Sequence, residues 1–198
     1  MGTRNSVIVI VNNEPKIAKY CQWDGYPSGR GVELLEVLQK YKDNFAEMKE
    51  KVSKVVALTD DEYNKKWEAA GANGSGWVEL SVAEKFKETC AHLSRDMGGG
   101  EVLDLVMQGK VSDTYLNPDF VGDSLFCEWA YVVDLDKNTF EVYKGFNDHT
   151  PLTEQDRFFD KTREGSKYYP VKIMVEYNLN ELPTEEEFLN DITKEHEE

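Results

Sequence analysis

The sequence predicts an α+β fold, an antiparallel sheet of about five strands with helices packed on one face. Three observations predict it. Strand-type alternation opens the chain over residues 6–23 and returns over 125–144 and 169–177, while apolar residues at helical spacing fill the middle, from Leu34 to Val106. The 198 residues, 40% hydrophobic and 12% aromatic, suit one packed domain spanning 1–198.

Residues 6–11 are an apolar, β-branched run, Asn12-Asn13-Glu14-Pro15 is turn chemistry, and 16–23 alternates again through Ile17 and Lys19. This is an N-terminal hairpin. A glycine-rich loop at 24–31 then breaks the strand, and Leu34, Leu35, Leu38, Tyr41 and Phe45 follow at helical spacing. Thr59 with Glu62, Ser81 with Glu84, and Thr184 with Glu187 each match the capping box, in which hydroxyl and carboxylate satisfy free N–H groups at a helix start. After Ser81, the residues Val82, Phe86, Cys90, Leu93 and Met97 predict one buried helical stripe, which Gly98-Gly99-Gly100 should stop. A short helix through Leu103 follows. Trp129, Tyr131, Val133 and Leu135, a turn at Asp136-Lys137-Asn138, and Phe140, Val142 and Lys144 predict a second hairpin. Tyr169, Val171, Ile173, Val175 and Tyr177 make the late strand, solvated on one side, and an acidic C-terminal helix spans 184–198.

The net charge of −15 opposes extended contact with nucleic-acid phosphates, and residues 181–198 hold eight acids against one lysine. Direct nucleic-acid binding is therefore not expected. Cys21, Cys90 and Cys127 are odd in number and widely spaced, which fits neither a disulfide framework nor a zinc cluster and points to a reducing, cytoplasmic setting. No leader and no membrane-spanning run is read from the sequence, and no membrane partner is expected. The start Met1-Gly2-Thr3-Arg4-Asn5-Ser6 matches the N-myristoylation pattern, though a strand begins at once.

The loop Gln22-Trp23-Asp24-Gly25-Tyr26-Pro27-Ser28-Gly29-Arg30-Gly31 joins a strand to a helix and concentrates glycines, aromatics and a carboxylate. Glycines let N–H groups approach a ligand, and a helix start favours an anion beside Arg30. Trp23, Asp24, Tyr26, Ser28 and Arg30 are thus the candidate binding residues. The loop is neither a phosphate loop nor G-x-G-x-x-G, and a tight turn plugged by its aromatics is the competing reading.

Other chemistries are incomplete. A terminal hairpin is also how N-terminal-nucleophile hydrolases begin, but Met removal exposes Gly2, not Thr3. The cysteines have His92, His149 and His196 as possible bases, without any local signature, and Cys90 and His92 point apart on a helix. Asp134, Asp136 and Asn138 copy the start of a calcium loop, then Thr139 and Gly145 replace its required Gly and Glu. Asp24, Glu128 and Asp134 form an acid/base or Mg²⁺ cluster only if the two hairpins bring them together. No metal and no cofactor is expected.

Over residues 1–5 and 22–31 the chain resembles a family of bacterial, phage and fungal proteins that open with Met-Gly-Thr-Arg and carry a Gln-Trp-Asp-Gly-Tyr-Pro loop a little further on. The similarity is weaker over 126–146. It brings no established activity, but its phage members imply a small accessory protein or counter-defence inhibitor. The expectation is a non-enzymatic interaction protein that binds a protein partner, a basic one, through an acidic surface. The alternative is a small hydrolase or nucleotide-binding enzyme using the 24–31 loop, with Glu128 or Cys21 nearby.

Overall fold

The computed structural model describes residues 2–74 and 78–194. Strands β1 (Asn5–Val11) and β2 (Glu14–Cys21) form the first hairpin, closed by Asn12 and Asn13 at φ 58° and 60°. Asparagine tolerates this left-handed backbone, as a two-residue hairpin turn requires. The connection holds α1 (Val32–Lys40), α2 (Phe45–Ser53), β3 (Val56–Ala57), α3 (Asp60–Ala70), α4 (Leu80–Cys90), α5 (Gly99–Met107) and β4 (Asp113–Thr114). The second hairpin is β5 (Trp129–Asp134) and β6 (Thr139–Lys144); β7 (Lys172–Asn178) and α6 (Glu185–Lys194) follow. Of the expected 184–198 helix, residues 195–198 lie outside those described.

The fold is α+β with five strands in the main sheet, but that sheet is mixed, not wholly antiparallel. Its order is β2-β1-β5-β6-β7, with β1 and β5 parallel and Asn5 opposite Trp129. The helical connection between the hairpins returns the chain to the end where β1 began, which permits a parallel pair; alternation within each hairpin carries no information on this direction. A second parallel pair, β3 with β4, was not legible at two residues each.

The helix face of the sheet, with Val7, Val9, Tyr131 and Phe140, lies under Leu34, Leu38, Met48, Leu103 and Phe188 of α1, α2, α5 and α6. The opposite face is covered by irregular chain: Val121, Phe158 and Val171 pack on Ile8, Val132 and Tyr143. Two buried carboxylates fasten that covering. Arg157 donates from Nε to Glu141 and from Nη2 to Asp134, each at 2.8 Å, and both acids are 2% exposed. Asp134 also accepts from the N–H groups of Asp136 and Lys137 and so serves its hairpin turn, while the Asp136 carboxylate accepts from the Asn13 N–H of the first hairpin and pairs with Lys49.

The capping boxes at Thr59 and Thr184 form. At Ser81 none does, because α4 starts two residues earlier than that box requires, behind Glu79. The predicted stripe also divides: α4 ends at Cys90, Phe86, Cys90 and Leu93 bury against Ala70 and Trp67, and Met97 packs on the main core instead. The chain leaves the helix there to cover the edge of β2, giving the Ser94 carbonyl to Lys19 and the Arg95 carbonyl to the Gln22 N–H. Gly98-Gly99-Gly100 opens α5 and ends no helix. A Cβ on Gly99 would lie 2.2 Å from that of Val7, so the glycine is needed for α5 to lie on the sheet.

Candidate functional site

The 22–31 loop lies at the end of the sheet where β2 finishes and β1 and β5 begin. It is pinned from below: the Gly25 N–H donates to the Thr3 carbonyl at 3.0 Å, and the buried Tyr131 hydroxyl donates to the Gly25 carbonyl at 2.8 Å. Asp24 turns the chain at φ 58°, and its carbonyl accepts from the Arg30 N–H at 2.9 Å. From Pro27 to Gly31 the chain makes a wide turn that runs on into α1, the Gly31 N–H reaching back to the Tyr26 carbonyl at 3.4 Å. Such wide turns recur at functional sites. A Cβ on Gly31 would lie 3.1 Å from the rings of Phe188 and Tyr131, so this glycine lets α6 seat against the turn.

The five candidate residues divide into three groups. Tyr26 and Ser28, with Pro27, form one wall of an open groove of about 570 Å³; Trp129 lies within it, and Leu189, Ile192 and Thr193 of α6 form the other wall. Tyr26 is 56% exposed at its rim. Trp23 and Arg30 instead bind the loop to the start of α5. The Trp23 indole donates to Asp96 at 2.9 Å; Arg30 pairs with Glu33, with Glu101 at 2.8 Å, and donates to the Asp96 carbonyl at 3.0 Å. The Lys87 ammonium holds Asp96 below the ordinary carboxylate range. Arg30 thus acts as a structural cation here, its charge met by Glu33 and Glu101.

Asp24 is exposed, and what its position demands is a left-handed backbone. Asp24→Asn is expected to leave the melting temperature nearly unchanged, because Asn adopts that conformation, whereas Asp24→Val should cost about 1–2 kcal/mol. Thermal unfolding of the pair checks this; equal losses would mean that the carboxylate, not the backbone, is what matters.

The proposed carboxylate trio does not assemble. Glu128 stays at the loop end beside Arg4, whose backbone N–H it accepts at 3.3 Å, while Asp134 lies at the other end of β5 with Arg157. Among the described residues, which leave out His196, no cysteine–histidine pair forms: the three thiols are buried and unbridged, burial pushes that of Cys127 up, and the His92 ring meets Asp113 at 2.8 Å. Thr3 is buried beneath the loop. Among the described residues no group of three or more His, Cys, Asp and Glu is placed to hold a metal, and no helix is long and apolar enough to cross a membrane.

No family model, curated protein or solved structure matches this chain. Trp129 lies in the groove, Leu189 and Ile192 make its α6 wall apolar, and Tyr26 supplies an aromatic rim. Beyond the groove lining, α6 also carries Glu185, Glu186, Glu187 and Asp191, of which Glu187 is taken up by the Thr184 cap and Asp191 accepts from the Tyr177 hydroxyl at 3.3 Å. On the other side of Trp129, Lys144 and Lys172 follow in register and border a second groove of about 390 Å³ with His149 and Phe146. Phe146 is half exposed at φ 54°, a conformation a bulky residue rarely adopts. Sequence reasoning missed Trp129, Leu189, Ile192 and Thr193 as site residues. Their patterns announce only a strand and an amphipathic helix, and nothing in them says that the helix end meets the loop.

Proposed function

We propose that this protein is a non-enzymatic binding domain that captures a basic, amphipathic segment of a protein partner in the groove between residues 26–28 and α6. The observation that carries this reading is the pairing of an apolar, aromatic-rimmed groove with an acidic helix as its wall. An apolar stripe on the partner would cover Trp129, Leu189 and Ile192, and its flanking Lys or Arg would meet the α6 acids; this is the helix-in-groove mode of recognition. The net charge of −15 would steer a basic partner at long range. An accessory inhibitor of a basic host protein is a role such a groove suits, in keeping with the resemblance at the N-terminus.

A synthetic amphipathic peptide of Leu and Lys, with a Leu/Glu peptide of the same pattern as control, tests this by fluorescence anisotropy. Tyr26→Ala should weaken binding by about tenfold or more, as expected for a rim aromatic at a hot spot. Phe159→Ala, which removes a comparably exposed aromatic outside the groove, should leave it unchanged. Affinity should fall with added salt. Equal binding of both peptides, or an unaltered affinity in Tyr26→Ala, would overturn the proposal.

A further inference from the structure

β2 is an edge strand, and loops cover its outward backbone at two points: the Gln22 N–H donates to the Arg95 carbonyl, and the Ala18 carbonyl accepts from the Asn117 N–H, both at 2.8 Å. Arg95 and Asn117 also line a cavity of about 100 Å³ on this edge, together with Lys19 and the rings of Tyr63 and Tyr115. Those two rings are stacked with centroids 3.9 Å apart, which makes a flat wall.

Lys19 is only 5% exposed. Its Nζ donates to the Ser94 carbonyl at 2.6 Å and to the Tyr20 carbonyl at 3.2 Å. Tyr20 shares the outward parity of Ala18, so its carbonyl marks the sheet edge, and the ammonium is held there. An ammonium has three donors, and one remains. Among the described residues no carboxylate is within ion-pair distance of Lys19 or of Arg95; Asp96 and Glu101 act on Lys19 only at longer range. Burial pushes the Lys19 amine down to about 8, which those acids only partly offset. Buried charges in folded proteins are almost always paired. A buried Lys19 beside an exposed Arg95, with Asp96 acting on both only at longer range and no carboxylate in ion-pair contact with either, is unexpected in a chain with 38 acids and 23 Lys and Arg.

We propose that this edge cavity is a binding site for a small oxyanion, phosphate or carboxylate, held between Lys19 Nζ and the Arg95 guanidinium with the Asn117 side-chain amide as a further donor. The anion completes the coordination of Lys19 and neutralises a cation that the fold alone leaves buried. A cavity of this size admits the anionic group itself; anything attached to it would extend past the exposed Arg95.

Thermal unfolding in sodium phosphate, acetate and chloride at equal ionic strength tests the site. Phosphate or acetate should raise the melting temperature by about 5 °C over chloride at saturation, and the larger response assigns the anion class. Arg95→Gln changes an exposed side chain and should fold normally, yet lose that rise; Lys19→Met should lose it too. If Lys19→Met does not fold, Arg95→Gln alone decides. An equal response in all three salts, or an undiminished rise in Arg95→Gln, would overturn the site, since it would leave only the general effect of salt on burial.

Discussion

Arg157→Met is expected to lower the unfolding free energy by about 3–5 kcal/mol, the cost of breaking a buried ion pair and leaving its charge uncompensated. The guanidinium is the cation that Glu141 and Asp134 share beneath the irregular chain of residues 145–171. Glu141 has two further partners, Tyr143 Oη at 2.5 Å and Thr139 Oγ1 at 2.8 Å, but both are neutral and neither removes its charge. Adding Glu141→Gln to Arg157→Met should therefore recover part of the loss, and urea unfolding of the single and double variants measures the coupling. A loss below about 1 kcal/mol in Arg157→Met would show that the covering segment is held by Phe158 and Val171 alone.

The second large effect concerns the satellite cluster of α3 and α4. Phe86 is fully buried, stacked on Trp67 at 3.6 Å and met edge-on by Tyr63 at 6.1 Å. Phe86→Ala should cost about 3–5 kcal/mol, from lost transfer energy and the cavity left between the helices. Urea unfolding followed by tryptophan fluorescence reads this, because Trp67 forms one wall of the cavity. A cost below about 1 kcal/mol would mean that the two helices close over the gap.

Both hairpins, β7 and two of three capping boxes were legible, because each rests on contacts between residues near in sequence. The parallel pairing of β1 with β5 was not, although the unbroken run Val7-Ile8-Val9-Ile10-Val11 is what a strand buried on both faces requires. Gly98-Gly99-Gly100 misled for a related reason. Its composition says that no side chain fits, and only the sheet beneath shows that the obstacle is Val7. In the loop, Tyr26 and Ser28 lie exposed on the groove, whereas Arg30 is turned inward to Glu33 and Glu101. A cation in a glycine-rich loop reads as a ligand contact until Glu33 and Glu101 are placed around it. Lys19 was invisible: in an alternating strand a lysine reads as solvent-facing, and its burial depends on residues 94–95 closing over the edge.

The groove between residues 26–28 and α6 is most directly tested by nuclear magnetic resonance, titrating the Leu/Lys amphipathic peptide into isotope-labelled protein. Amide and indole shifts should move for Tyr26, Ser28, Trp129, Leu189 and Ile192, while those of α3 and α4 stay in place. Shifts that map to another surface, or a peptide that perturbs charged side chains evenly around the molecule without touching the Trp129 indole, would contradict the assignment.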